Sequence, residues 1–271
     1  MSERRDEEGT ATPVPQPTES GGIATLAGSR SAPPPPRRPP ARSRTGWTLV
    51  LLSSLAVAAF SVGTYAAGSL ESLAEDGVGL SEAYAAAPAF ARILLYVHIA
   101  TAALALLLGP FQFSRALRRR SPRAHRAVGR VYLVSVLLGA VSGVLVTPWN
   151  SAGMAGFFGF GGLSVLWAVT AVRGYRAARR GDIAHHQAWM IRNFAFTYAA
   201  PALRLWLGLL ILVQAPFHDM DTQFDMVFDN AYHAVPFLAW VPNMFVAEWL
   251  IRRRNLPSYR LPPPASARRG R

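Results

Sequence analysis

"ILLYVHIATAALALLLGPFQFSRALRRRSPRAHRAVGRVYLVSVLLGAVSGVLVT", Ile93 to Thr147, sets two apolar runs on either side of a short loop packed with arginine. Each run is about 20 residues, enough to cross ~30 Å of hydrocarbon at ~1.5 Å per residue. The loop holds Arg115, Arg118, Arg119, Arg120, Arg123 and Arg126. A very greasy globule is the alternative to a membrane protein, and the recurrence of such runs argues against it.

The pattern continues in both directions. Six spans are predicted, at about Trp47–Ala67, Ile93–Phe113, Val128–Thr147, Met154–Val172, Trp189–Val213 and Ala231–Ile251. The fold class is therefore all-α: a six-helix transmembrane bundle over 47–251 with a disordered N-terminal tail over 1–46 and a basic C-terminal tail over 252–271. The N-terminal segment ends in "APPPPRRPPARSR" (Ala32 to Arg44), which has almost nothing to bury and favours polyproline II. Span one lacks a clean small-x-small cleavage site and reads as an uncleaved anchor.

Loop charge predicts orientation. Arg173, Arg176, Arg179 and Arg180 follow span four, and Arg252, Arg253 and Arg254 follow span six. The alternate loops carry Glu71, Glu75, Asp76 and Glu82, then Asp219, Asp221, Asp225 and Asp229. The positive-inside rule places every arginine-rich segment, and both termini, in the cytoplasm. A net charge of +13 without a single lysine is thereby explained by anionic lipid headgroups on the cytoplasmic side, with no nucleic acid required. The absence of cysteine excludes disulfides, thiolate metal sites and cysteine nucleophiles. Gly139 and Gly143 in span three, and Gly153, Gly156, Gly159 and Gly162 leading into span four, predict close pairing of those two helices.

Polar residues at membrane depth are the candidate site. Arg204 lies ~22 Å up span five, in the outer half of the bilayer, where an arginine costs ~2.5 kcal/mol or more unless paired or hydrated. Asp225, Asp229, a water-filled cavity or a bound anion are its candidate partners. His98, ~9 Å deep in span two, and His233 near the top of span six complete an outer set. At the inner end, "HRAVGRVY" (His125 to Tyr132) and "HHQAWMIRNF" (His185 to Phe194) echo one another, each with histidine outside and arginine, Arg130 or Arg192, further in. Glu248 is the carboxylate placed to neutralise either arginine, and snorkelling at the headgroups is the plainer reading of the belt.

"HIATAALALLLGPFQF" (His98 to Phe113), "HRAVGRVY" and "HHQAWMIRNFAFTYAAPALRLW" (His185 to Trp206) together resemble the bacterial membrane-protein family catalogued as domain of unknown function 2306. The resemblance covers about Tyr96 to Leu212. It implies a multi-pass protein of the bacterial cytoplasmic membrane and no established activity. Residue by residue it picks out His98, Gly109, Gln112, His125, Arg126, Gly129, Arg130, His186, Trp189, Arg192 and Arg204.

Three functions compete. A b-type haem protein moving electrons across the membrane would use His125 with His186 (or His185) for an inner haem and His98 with His233 for an outer one, with arginines meeting propionates. A transporter or carrier of a small anion or lipid would use Arg204 as counter-charge, with helices interrupted at Pro201, Pro236 and Pro242. A non-catalytic assembly role would dock a membrane-protein partner, or a second copy in a homo-oligomer, on the glycine faces and arginine loops. No GxSxG, HExxH or paired intramembrane aspartate supports a hydrolase. "HDMDTQFDM" (His218 to Met226) lacks defined ligand spacing and reads as a solvated acidic loop, so no metal site is assigned.

Overall fold

A computed structural model of the chain describes residues 44–75 and 81–258. The expected tail over 1–46 lies outside these residues except for its last three, which open the first helix. Beyond Ser258 the expected C-terminal tail also lies outside them.

Every regular element among the described residues is helical. Helix α1 spans Arg44–Ala67, and the short helices α2 (Leu70–Glu75) and α3 (Ser81–Ala85) fold over one end of the bundle. Helix α4 runs Ala89–Gln112, α5 Arg115–Arg120, α6 Pro122–Val146 and α7 Gly153–Arg179. Span five is two helices, α8 (Ile183–Thr197) and α9 (Ala199–Gln214), and span six is likewise α10 (Phe224–Leu238) and α11 (Val241–Arg253). Among the described residues six segments are long and apolar enough to cross a membrane, as the hydropathy pattern predicts.

Local chemistry explains the boundaries. The Ser114 hydroxyl accepts from the Leu117 amide to cap α5, and Pro122 stands in the first turn of α6, where its missing N–H costs nothing. The α7–α8 turn is tight: Gly181 takes φ +74°, open to glycine, and the Asp182 carboxylate caps α8 by accepting from the His185 amide at 3.1 Å. That amide, with the His185 ring close by, holds the Asp182 carboxyl below the usual range. The breaks in spans five and six follow proline. Pro201 offers no N–H to the Thr197 carbonyl and crowds it, so α8 ends at Thr197. Pro242 sits in the first turn of α11, directly after the interruption at Ala239 and Trp240.

Helix α6 packs on both α4 and α7, with α4 its more extensive neighbour. The predicted pairing of spans three and four is therefore half of a three-helix contact. The reason is visible at Gly143, where a Cβ would stand 2.7 Å from Ser164 Oγ on α7 and 3.0 Å from the His98 ring on α4. The glycine row of α7 does something else. Gly159 presses on span six, with Pro236 Cβ 2.5 Å and the Pro236 carbonyl carbon 2.9 Å from where a Cβ would be, whereas Gly162 meets nothing within 4 Å.

This contrast gives a paired prediction. Gly159→Ala must push backbone away from backbone and is expected to cost about 1–3 kcal/mol. Gly162→Ala gains helix propensity and is expected to be neutral or up to about 1 kcal/mol stabilising. Thermal unfolding in detergent distinguishes them.

Candidate functional site

Lipid offers backbone and side chains no hydrogen-bond partner, so polar groups at depth must find one another. Asn193 of α8, fully buried, sits at the centre of such a set. The Tyr132 hydroxyl of α6 donates to Asn193 Oδ1 at 2.7 Å and lies 2.8 Å from the Thr197 hydroxyl. Asn193 Nδ2 donates to the Trp167 carbonyl at 2.9 Å and to Thr170 Oγ1 at 3.0 Å, both on α7. The Trp167 indole N–H donates to Thr197 Oγ1 at 2.9 Å. Spans three, four and five are thus joined by one satisfied network, and around it pack Ala105, Val136, Ala140 and Phe196.

Next to Asn193, toward the arginine-rich end, Arg192 is 3% exposed. Its Nε and Nη2 meet the two Glu248 oxygens at 2.5 and 3.1 Å, a two-pronged pair between α8 and α11. Trp189 stacks beneath, with the Arg192 and Arg173 guanidinium carbons 4.8 and 4.9 Å from its ring centre. Of the two arginines that Glu248 was expected to serve, Arg192 is the partner. Arg130, at the matching place in the echoed motif, is exposed on the bundle surface.

On the other side of the network, toward the acidic end, a cavity of about 280 Å³ opens among all six spans. Trp167 and Thr197 form part of its wall, and its apolar lining includes Val57, Leu106 and Leu163. Arg204 and His98 both line it. Arg204 donates from Nη1 to the Ala200 carbonyl at 3.0 Å and from Nη2 to Ser61 Oγ at 2.7 Å, and its guanidinium carbon is 5.6 Å from the Phe60 ring centre. Among the described residues these partners are all neutral. Asp225 and Asp229, the carboxylates proposed for it from sequence, are exposed on α10. Three phenols, Tyr65, Tyr84 and Tyr232, are its polar company: Tyr65 and Tyr84 line the cavity, and Tyr65 and Tyr232 are electrostatic neighbours of Arg204. Burial of Tyr84, in the short α3, pushes its phenol up to about 12, so it stays a neutral donor.

His98 is oriented by α6. Its Nδ1 lies 2.7 Å from the Gly139 carbonyl, which can only accept, so Nδ1 carries the proton. In the neutral ring Nε2 is then a free lone pair, with no partner among the described residues. His233, expected beside it, is exposed on α10, has its Nδ1 on the Asp229 carbonyl of its own helix, and does not line the cavity. The outer histidine pair is not assembled. At the inner end His186 holds the Gly174 carbonyl through Nδ1 at 2.9 Å and is an electrostatic neighbour of His125, while His185 pairs with Asp182 at 2.7 Å on the surface. Among the described residues no three His, Asp or Glu side chains converge to hold a metal ion.

Sequence reasoning missed Tyr132, Asn193, Thr197 and the tyrosines, because Tyr, Asn and Thr raise no alarm in an apolar run. One signal was available: Asn193 is a full amide inside a span, and buried amides in lipid need partners.

Six helical spans wrapped around a buried polar network and an internal cavity define a multi-pass α-helical membrane protein. Its membership is specific: the chain belongs to the family described as predicted membrane protein, DUF2306, whose pattern matches residues 95–251. The match runs from within α4 into the last turn of α11, beyond the limit at Leu212 expected from the motifs. No curated protein and no solved structure matches the chain.

The Arg192–Glu248 pair generates a thermodynamic cycle. Glu248→Leu strands a buried guanidinium, and the expected cost is about 2–4 kcal/mol, at the lower end because the carboxylate is 30% exposed. Adding Arg192→Leu to it is expected to recover part of that loss. A double variant no more stable than Glu248→Leu alone would mean that the ion pair is not what α8 and α11 share; unfolding midpoints in detergent decide.

Proposed function

We propose that the chain binds, and carries across the membrane, a small anionic amphiphile held in the cavity with Arg204 as its counter-charge. The observation that carries this reading is Arg204 itself, a cation on the wall of a largely apolar cavity whose partners are all neutral. An arginine at that depth is costly unless something negative or aqueous meets it. Three of its five N–H groups remain for a ligand carboxylate or phosphate once Ala200 and Ser61 are served. Ala199 and Ala200, the first residues of α9, also line the cavity, and the positive end of that helix favours negative charge.

The interrupted helices support carriage beyond mere binding. Spans five and six both break at cavity level, at Tyr198 and at Ala239–Trp240, and Thr197, Ala199 and Ala239 stand on the wall. Broken helices beside a mid-membrane site are the usual architecture of alternating access. By the positive-inside rule the arginine-rich end faces the cytoplasm, and the cavity lies on the far side of the network from it. Electron transfer through two haems is supported less well, since the cavity has a single histidine, His98.

The test uses protein in zwitterionic nanodiscs, titrated calorimetrically with hexanoate and, in parallel, hexylammonium, with empty discs subtracted. Saturable binding is expected for the carboxylate alone, weakened at least about tenfold, or about 1.4 kcal/mol, in Arg204→Gln. Equal binding of both amphiphiles, or undiminished binding by Arg204→Gln, would sink the proposal.

A further inference from the structure

The cavity that holds Arg204 has a second polar corner, where α4, α6 and α7 meet. Its floor is Gly143 of α6, which lines the cavity together with His98 and Ser164. A Cβ on Gly143 would stand 2.7 Å from Ser164 Oγ of α7 and 3.0 Å from the His98 ring of α4, so the two side chains flank one bare patch of helix. His98 Nδ1 is committed to the Gly139 carbonyl. The two nitrogens of an imidazole point away from each other, so Nε2 turns from that carbonyl. Ser164, only 5% exposed, leaves out the bond to the carbonyl four residues back that Ser135, Ser142 and Thr170 make within their own helices.

Neither His98 Nε2 nor Ser164 Oγ has a hydrogen-bond partner among the described residues, and both keep some surface that a water-sized group can reach. Asn150 Oδ1, on the same cavity wall, is by contrast shut off. Unanswered polar atoms at membrane depth are costly. The neutral ring offers a lone pair that only accepts, beside a hydroxyl that donates or accepts. A ligand hydroxyl answers both at once. A carboxylate or phosphate oxygen, able only to accept, leaves Nε2 unmet.

Arg204 is within reach of the same molecule. Tyr65 of α1 meets Tyr96 of α4, and Ala58 packs with Ala103 and Leu106, so Ser61 stands near the level of Ala100. Ser61 holds the Arg204 guanidinium. The cation and His98 therefore lie within about one helical turn, ~5 Å, of the same depth, on different walls of one cavity.

We infer that the corner is a subsite for a hydroxyl group and that the carried ligand is a hydroxylated carboxylate amphiphile. Its acid end meets Arg204, and its hydroxyl donates to His98 Nε2 and accepts from Ser164 Oγ. The acid end rests on the carrier reading given above, whereas the hydroxyl end stands on His98 and Ser164 alone. A site with two such groups disfavours the unsubstituted acid, which satisfies neither.

Full-length protein in zwitterionic nanodiscs is titrated calorimetrically with hexanoate and with 2-, 3- and 6-hydroxyhexanoate, and separately with the neutral pair 1-hexanol and 1-chlorohexane. At least one hydroxy acid is expected to bind about tenfold or more tighter than hexanoate, and that ratio to fall below about threefold in His98→Phe and in Ser164→Ala. With imidazole-labelled protein, the Nε2 nitrogen resonance of His98, assigned by its loss in His98→Phe, is expected to move with that hydroxy acid and to stay in place with hexanoate. A ratio near one for every isomer, a ratio that either variant retains, or a b-type haem absorption band lost in His98→Phe would overturn the inference. The neutral pair separates it from the carrier reading. Hexanol favoured over chlorohexane in the parent but not in His98→Phe, with hexanoate binding indifferent to Arg204→Gln, keeps the hydroxyl subsite and removes the carrier. Hexanoate binding that needs Arg204, with no gain from any hydroxyl, does the reverse.

Discussion

The Tyr132 hydroxyl, the Asn193 amide and the Thr197 hydroxyl satisfy one another in a place where no water can, and the arrangement of spans three, four and five hangs on that requirement. Apolar surface cannot register these helices against each other, because lipid tails are as apolar as leucine. Hydrogen bonds with direction can. Once Asn193 is fixed to the Trp167 carbonyl and to Thr170, the rotation of α8 is set, and Arg192 is turned toward Glu248 on α11. Span six is anchored to span five through this neighbour.

Above the network the helices part, and two prolines mark where. Pro201 and Pro242 accompany interruptions of regular hydrogen bonding in spans five and six, and residues at both interruptions line the cavity. The cavity with Arg204 and His98 lies at these interruptions. Close packing and interruption come from opposite devices around the cavity: glycine at Gly139 and Gly143 lets α4 and α7 approach α6, and proline at Pro201 interrupts span five.

The six spans and their loops were legible because a run of about 20 apolar residues and a cluster of arginines are one-dimensional signals. Arg204 stood out for the same reason: its cost is set by depth, and depth follows from counting. The pairings were not legible. Glu248 had Arg130 and Arg192 as equal candidates, and only the rotation of α8 buries one while α6 exposes the other. His98 and His233 both fall in the outer half by counting, yet the face of α10 that points inward carries Tyr232 and leaves His233 on the outside. A shift of 100° around a helix axis is invisible to hydropathy and decisive for chemistry. The extensive contact between α4 and α6 escaped for a related reason, since a GxxxG pattern marks a close approach without naming the helix that approaches.

Helix α1 precedes the stretch that defines the family, yet it closes the cavity on one side with Val57, Ala58, Ser61 and Tyr65. It packs along α4 and is pinned by hydrogen bonds that include the Trp47 indole on the Pro110 carbonyl, Ser53 on the Tyr198 hydroxyl at the break in span five, and Ser61 on Arg204. One wall of the pocket is therefore built from residues outside the matched stretch and apart from the Tyr132–Asn193–Thr197 network. Ligand preference can be retuned on that wall during evolution, or by an engineer, while the buried framework that holds the other spans in register is left untouched.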